Sequence, residues 1–463
     1  MPVLFSKAFK ISQTRLNKVG VFNSFLDEDS HFFINFKRLK QTQVPEFKNA
    51  YDLVNQYFSG IGKLLYRSQA VGDKLYRTAL KNFNFREVNG INLGFSKGVH
   101  GAGFGKQLRD VIINDAFQII KSGTQDPEIF HLCSLFAEKV GPDRLSDMLA
   151  GLLYDNIRGY TIRALSELGI TPKSYPRHNF DIYGIPENPY KPDTPVLLLP
   201  KDILHELPIA KDWFDIDRVC RENEAIKAEI NVLIGSEWSK LSAAEKKKKL
   251  FNDLFLQPKK MQAVLKTYRE IYLPECKFND NLDYFVQLVL DQINTEVFIA
   301  EQQGNSLDVS MLILENYKEW VELHRGWDTL KDVSSSKAET SVQTTIHAVA
   351  QMYCKSNNWD ISPEVDSGRG PADFKISRGQ DKTVIEVKLT SNNQCVHGLE
   401  IQIEEYAKAE KTDNKIFVLV NNGVNPERVQ HVCNKHVEMQ RSGKNPARLL
   451  IIDATVKKSA SKA

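Results

Sequence analysis

The chain has 463 residues, 42% of them hydrophobic and 10% aromatic, with a formal net charge of +3. This length exceeds what one hydrophobic core usually serves, so two or three domains are expected. No run of 18 apolar residues occurs and the N-terminus lacks a signal-peptide core, which excludes membrane-spanning and exported classes and predicts a cytoplasmic protein. Six cysteines are dispersed without a Cys-x-x-Cys pair, which favours reduced thiols over disulfides or a zinc site.

Residues 1–210 are predicted to form an α+β region of unknown role. Gly98–Lys106 is rich in glycine, and glycine-rich turns let backbone N–H groups approach a phosphate. The spacing departs from that of a phosphate-binding loop, because position 100 is His and Lys106 is followed by Gln. A turn before a helix at Gln107–Ser122 is therefore favoured over nucleotide binding, although the loop can still contact substrate phosphates.

Prolines mark the next two features of this region. Pro142 begins a predicted helix whose apolar stripe continues through Leu152 and Ile157. The proline-rich residues 178–195 predict an irregular surface connection. The apolar run Val196–Leu199 then predicts a short buried strand.

Residues 211–330 are predicted to be helical. Apolar residues recur at spacings of three and four in Leu282–Gln303 and Leu307–His324. The lysine run Lys246–Lys249 lies on another predicted helix, where a solvated face is favoured over contact with a nucleic-acid backbone. The polar, serine-rich residues 331–338 predict a boundary before the last domain.

From residue 339 onward the pattern alternates between helical and extended segments. An apolar stripe marks the first helix, and turn residues separate two runs of extended character. Asn425 is the expected N-cap of the last helix. The predicted helices are Glu339–Cys354, Leu399–Glu410 and Pro426–Met439, and the predicted strands are Pro371–Ser377, Thr383–Leu389, Lys415–Val420 and Arg448–Ile452.

One acid and an acid-lysine pair are the most informative residues of this region. Asp373 lies in the first predicted strand, and Glu386 and Lys388 lie in the second. Because successive strand residues point to opposite faces, Glu386 and Lys388 share a face, and Val387 points into a core. Two carboxylates and an ammonium in a small volume suit phosphodiester hydrolysis, since carboxylates hold Mg²⁺ and a lysine can orient the attacking water.

The flanking helices carry further candidates. Glu339 and Gln343 are four residues apart at the edge of the apolar stripe, so both can face one cleft. Gln402 lies four residues before Tyr406 on the next helix. Each residue taken alone is explained by a solvated face, and only the ordered set favours a functional site.

This order of elements and acids resembles the PD-(D/E)xK, or restriction-endonuclease-like, nuclease superfamily over roughly the last 130 residues. The resemblance implies an α/β fold in which helices flank an αβββαβ core sheet, preceded by a largely helical α+β region. It departs from the family pattern where Ala372 separates the proline from the acid, a spacing the superfamily tolerates. The matching residues are Glu339 for the helix acid, Asp373 for the strand acid, Glu386 and Lys388 for the acid-x-lysine motif, and Gln402 and Tyr406 for the later glutamine and aromatic.

The resemblance implies a Mg²⁺-dependent endonuclease, with Mn²⁺ as the alternative ion. It implies that Asp373, Glu386 and the Val387 backbone carbonyl hold the metal, with Glu339 helping through water. Lys388 would act on the attacking water, and Gln402 completes the catalytic set. DNA is expected as the substrate in preference to RNA, and a homodimer is an option because double-strand cutting in this fold commonly requires two sites. The alternative is a nucleic-acid-binding or regulatory protein that kept the fold and lost catalysis.

The segments Gly368–Phe374 and Glu386–Leu389 look like a branch of uncharacterised bacterial proteins, some of them near defence genes. That likeness predicts an anti-phage nuclease whose activity awaits a phage-derived trigger. A local basic groove suffices for nucleic-acid binding at this net charge, and simple solubility is the alternative for each cation. The candidate phosphate contacts are Arg369, Lys375, Arg378 and Lys382, with Lys457, Lys458 and Lys462 in the tail.

Overall fold

The structure is a computed structural model, and it divides the chain into two compact units, Met1–Cys276 and Lys277–Ala463. The fold is mixed α/β, with a five-stranded sheet in the second unit. Among the described residues, no helix combines the length and apolar character that crossing a membrane requires. The structure describes residues 2–85, 88–94, 105–137, 140, 142–206, 243–270, 272–293, 304–366 and 371–457.

The first unit consists mainly of helices, with one small antiparallel sheet in its described part. Strand β1 (Phe32–Ile34) pairs with β2 (Leu204–Glu206), which joins segments far apart in sequence. The helices are α1 (Phe5–Ala8), α2 (Gln13–Val19), α3 (Phe36–Gln41), α4 (Ala50–Arg67), α5 (Lys74–Asn82), α6 (Lys106–Ser122), α7 (Cys133–Phe136), α8 (Pro142–Leu152), α9 (Tyr154–Leu168), α10 (Ala243–Leu250) and α11 (Pro258–Glu270).

Two predicted helices of this unit are confirmed. The helix expected at Gln107–Ser122 is α6, and the helix expected from Pro142 is α8. Helix α8 ends at Leu152, so Ile157 lies on α9 instead of continuing the same stripe. Residues 98–104 of the glycine-rich segment lie outside the described residues, and the phosphate contact expected there stays a prediction.

The strand predicted at Val196–Leu199 is wrong, although all four residues are buried. Their backbone groups bond to scattered partners instead of a neighbouring strand. Leu197 N–H donates to the Gly90 carbonyl, and Leu198 N–H donates to the hydroxyl of Thr161 at 2.9 Å. The apolar run therefore predicted the burial of these residues correctly, but burial did not imply pairing with a neighbouring strand. The irregular connection predicted at 178–195 is confirmed, because the structure describes all of it and assigns it no helix or strand.

The lysine run lies on α10, as predicted. The Lys247 ammonium donates to the carbonyls of Ala137 and Val140 at 3.0 and 2.9 Å. This lysine therefore supports the fold, instead of being only part of a solvated face. Residues 207–242, which include the beginning of the predicted helical region, lie outside the described residues.

The second unit is organised around a mixed sheet in the order β3-β4-β5-β6-β7. Strand β4 is antiparallel to both of its neighbours, β3 and β5, and β5, β6 and β7 run parallel. Parallel strands need crossover connections, which the intervening helices supply. The strands are β3 (Asp360–Asp366), β4 (Pro371–Arg378), β5 (Asp381–Leu389), β6 (Lys415–Asn421) and β7 (Arg448–Asp453).

Helices cover both faces of this sheet. One face packs against α12 (Leu282–Gln292), α13 (Ser306–Leu323) and α15 (Ala338–Ser356), and α14 (Gly326–Leu330) contributes to the same core. The opposite core receives Leu399, Ile403 and Val432. Those residues come from α16 (Cys395–His397), the π-helical turn Gly398–Gln402, α17 (Ile403–Glu410) and α18 (Glu427–Arg441).

The four strands and three helices predicted after residue 339 are confirmed within a few residues. Strand β3 was not predicted, because Ser362, Pro363 and Glu364 interrupt any apolar alternation in it. The capping role predicted for Asn425 is wrong. Pro426 occupies the N-cap position of α18 without a side-chain cap bond, and Asn425 takes a left-handed φ of 50° in the turn before it.

The serine-rich segment 331–338 lies within the second unit, and the division between units falls at Cys276 and Lys277. Val333 is buried in the same core as α13 and α15. Ser334 donates from its N–H and its hydroxyl to the two carboxylate oxygens of Asp280, at 2.7 and 2.6 Å. This polar segment is therefore a connection that hydrogen bonds hold within the second unit.

We expect a fragment of residues 277–463 to unfold cooperatively, whereas residues 331–463 alone should not. The shorter fragment lacks Ile313, Tyr317 and Trp320 of α13, which are buried against α15 and the sheet. Each such side chain contributes about 1.5–3 kcal/mol, a large share of a typical total stability. Circular dichroism during urea denaturation checks this, and a sigmoidal transition of residues 331–463 would contradict the observed division.

Candidate active site

The site lies where β4 separates from β5. The two strands pair from Arg378 and Asp381 as far as Phe374 and Ile385. Beyond that point β4 continues beside β3 alone, pairing Ala372 with Val365. The residues at this separation, Asp373 on β4 and Val387–Leu389 on β5, are called the fork below. Backbone groups of β5 past the fork have no β4 partner, and buried backbone groups require one.

Three side chains supply those missing bonds. The Val387 N–H donates to Asp373 Oδ2 at 2.6 Å, and the Leu389 N–H donates to Glu339 Oε2 at 3.2 Å. The Gln343 amide donates to Asp373 Oδ1 at 2.9 Å and to the Val387 carbonyl at 3.3 Å. Glu339 and Gln343 both project from α15, as their spacing predicted. The fork therefore fixes these side chains by using them in place of a strand.

Glu386 and Lys388 form a buried ion pair beside the fork. Their side chains share one face of β5, and the residues are 2% and 8% exposed. Lys388 Nζ lies 2.6 Å from Glu386 Oε1 and 4.0 Å from Glu339 Oε1. Glu386 Oε2 is buried and has no hydrogen-bond partner among the described residues. An ionised carboxylate oxygen left in this state is costly, which marks it as a place for a ligand.

Burial dominates the electrostatics of the two strand acids. It raises the pKa of Asp373 to about 6, opposed by the charge of Lys388. It raises the pKa of Glu386 to about 7, and the negative charge of Asp373 adds to the rise. For Lys388, burial lowers the pKa, but the charges of Glu386 and Asp373 outweigh burial and leave the pKa above its ordinary value. Lys388 is therefore an ammonium at neutral pH.

The second core helix closes the site from the other side. A Cβ on Gly398 would lie 3.0 Å from the Phe417 ring, 3.4 Å from Gln402 Oε1 and 3.5 Å from Lys388 Cγ. The missing side chain therefore lets the turn approach the sheet and brings Gln402 beside Lys388. Gln402 Oε1 is buried without a hydrogen-bond partner among the described residues. Burial and then the charge of Glu386 raise the pKa of the Tyr406 phenol.

The structure brings together all of the predicted site residues, namely Glu339, Asp373, Glu386, the Val387 carbonyl, Lys388 and Gln402. One partner was not predicted. Asn392 donates from its amide to both oxygens of Glu339, at 2.8 and 3.0 Å. Its position in the polar run after β5 is the only sequence signal for this contact.

Most of the predicted phosphate contacts serve the fold instead. Lys375 and Lys382 both bind the Glu410 carboxylate, at 2.9 and 3.4 Å. Arg378 lies 3.9 Å over the ring of Trp359, and Lys457 donates to the Glu322 carbonyl. Arg369, Lys458 and Lys462 lie outside the described residues.

The acids fit a divalent cation only in part. No group of three or more His, Cys, Asp or Glu with metal-holding geometry occurs in the part of the chain that the structure describes. Both oxygens of Glu339 accept hydrogen bonds, from Asn392 and the Leu389 N–H, and both oxygens of Asp373 accept hydrogen bonds as well. Mg²⁺ is commonly held by one or two carboxylates with several waters, so Asp373, the open oxygen of Glu386 and the Val387 carbonyl form a suitable donor set.

Two family models match the chain, and neither description names a function. Residues 10–211 match a Domain of unknown function (DUF8370), and residues 306–424 match a Domain of unknown function (DUF8371). No curated protein and no solved structure matches the chain. The second match begins at α13 and contains every residue of the fork, so the site falls within a single family match.

The raised pKa values predict a pH dependence of stability in EDTA. An acid whose folded pKa exceeds its ordinary value of about 4 stabilises fully below that pH and loses this contribution as pH rises through the folded pKa. For Glu386 that loss extends to about pH 7. The stability of the wild type relative to Glu386→Gln should therefore fall by about 1–3 kcal/mol between pH 4 and 8. Urea denaturation at several pH values checks this, and parallel curves for both proteins would contradict it.

Proposed function

We propose that the second unit is the catalytic part of a metal-dependent PD-(D/E)xK nuclease that hydrolyses phosphodiester bonds in DNA. The observation that carries the proposal is the buried, unpartnered Glu386 Oε2 beside Asp373 and Lys388. A fold gains no stability from an orphaned carboxylate oxygen, and sites under functional constraint retain such groups.

Distinct roles in this proposal fall to Asp373, Glu386, Val387 and Lys388. Asp373 and Glu386 would hold Mg²⁺ together with the Val387 carbonyl, and the ion would polarise the scissile phosphate and its bound water. Hydrogen bonds hold both carboxylate oxygens of Asp373 in place, one from the Val387 N–H and one from the Gln343 amide. Lys388 is protonated, so it acts by donating hydrogen bonds to the attacking water and by offsetting charge on the phosphate, not as a general base.

The second candidate is a nucleic-acid-binding or regulatory protein that kept this fold without catalysis. It is favoured by the hydrogen bonds that already occupy both oxygens of Glu339 and of Asp373. The two proposals differ in whether a divalent cation binds and whether a phosphodiester bond breaks.

The biological setting of the proposal is anti-phage defence, with the first unit, Met1–Cys276, selecting the target or receiving a phage-derived trigger. Its support is the resemblance of the fork segments to bacterial proteins found near defence genes. A gated enzyme of this kind would cut weakly in isolation and become toxic to the cell when triggered.

Purified protein should cleave plasmid or linear DNA with Mg²⁺ or Mn²⁺ and not with EDTA. Asp373→Ala, Glu386→Ala and Lys388→Ala should each lower the rate by about a hundredfold or more, because charge stabilisation at the phosphate is lost. The matched control is Lys382→Ala, which removes a lysine from the same strand at a position bound to Glu410. Cleavage retained in an Asp373→Ala/Lys388→Ala double variant would refute the assignment.

Metal binding can be measured apart from catalysis. At pH 8, Mg²⁺ at about 100 times its Kd should stabilise the protein by about 2.7 kcal/mol, and calorimetry would record the rise in Tm. The rise should vanish in Glu386→Gln, which removes the open oxygen, and persist in Lys382→Ala. A wild-type Tm that rises with neither Mg²⁺ nor Mn²⁺ would favour the non-catalytic candidate.

A further inference from the structure

Arg428 lies at the open end of the sheet beside the fork. Its guanidinium donates from Nη1 to the Thr390 carbonyl at 2.8 Å, directly after the Leu389 residue that Glu339 binds. Helix α18, which carries Arg428, packs on the face of the sheet to which Glu386 and Lys388 point. Ligands of sheets with parallel strands commonly bind outside the carboxyl ends of those strands, which is where Arg428 lies.

The turn after β5 places Arg428 and the fork side by side. The Thr390 carbonyl accepts from Arg428. The Leu389 N–H before it and the Asn392 amide after it both donate to Glu339. Arg428 and Glu339 therefore bind one short segment of the chain.

Arg428 has no carboxylate partner among the described residues, unlike several lysines on this face. Those lysines are paired with nearby acids, whereas Arg428 makes only the bond to Thr390 in the described part of the chain. A guanidinium has five N–H donors in a planar fork, so most of its capacity is unused. The paired lysines are Lys375 and Lys382 with Glu410, Lys415 with Glu404, Lys408 with Glu405, and Lys435 with Glu400 and Glu438.

We propose that Arg428 binds a backbone phosphate of duplex DNA next to the bond that is cut. This inference rests on the proposed nuclease function and deepens it, because it names a substrate-binding residue that lies outside the acid-lysine motif. The Thr390 carbonyl holds one edge of the guanidinium and leaves the other for bidentate contact with phosphate oxygens. Arg428 would thereby set the register of the strand over Asp373 and Lys388.

The test compares wild type, Arg428→Ala, Arg428→Lys and Arg441→Ala. Arg441 is an exposed arginine in the last turn of the same helix, so its removal is the matched control for charge. Fluorescence anisotropy with a labelled DNA duplex, in EDTA across a salt series, reports binding without cleavage. Cleavage of the same duplex with Mg²⁺ reports KM and kcat separately.

Arg428→Ala should bind about tenfold more weakly, and the slope of log affinity against log salt should shrink by about 0.9, the loss expected for one phosphate contact. Arg428→Lys should restore the slope, and Arg441→Ala should resemble wild type. If Arg428 only supports Thr390, its alanine variant loses stability and keeps the wild-type slope. That result would overturn the inference.

Failure of this inference is distinguishable from failure of the proposed function. Metal-dependent cleavage with an unchanged KM in Arg428→Ala would overturn the role of Arg428 and leave the nuclease standing. Weakened duplex binding in a protein that never cleaves would uphold Arg428 and favour the non-catalytic candidate. A wild type that neither binds nor cleaves DNA would overturn both.

Discussion

The separation of β4 from β5 is the constraint on which the rest of the second unit depends. Once β4 leaves, the backbone of β5 near Val387 needs new partners, and Asp373, Gln343 and Glu339 provide them. The same bonds that satisfy the backbone orient the carboxylates. The backbone bonds of β5 past the fork therefore depend on three things together. These are where Glu339 and Gln343 lie on α15, the register of β4 and β5, and the direction in which each carboxylate points.

Burial gives this arrangement its chemical character. Glu386 and Lys388 are withdrawn from water, so their attraction is strong and the cost of the remaining unpaired oxygen is high. Asp373 and Glu386 hold protons more tightly than exposed carboxyls because each lies in a poorly solvated place near another negative charge. A cation that enters would relieve both penalties at once.

Sequence patterns located what depends on local periodicity and missed what depends on distant contacts. The alternation around Glu386 and Lys388 and the stripe of α15 identified the strand, its faces and the helix that supports it. Strand β3 lacked alternation, because its pairing with β4 defines it. Asn392 and Arg428 meet the fork only through the folded chain, so no spacing could reveal their bonds to Glu339 and Thr390. The serine-rich segment 331–338 looked like a linker, since composition does not show that Asp280 binds it.

The fork also has a consequence for the order of events during synthesis. The groups of the site come from α15, β4, β5 and the turn that carries Gln402. The parallel pairing of β5 with β6 requires the whole connection that contains α16, that turn and α17 to be in place. Non-local pairings of this kind form late in folding. A partly folded chain can therefore contain all of these residues without containing the site, and whatever the site binds can be bound only by the finished domain.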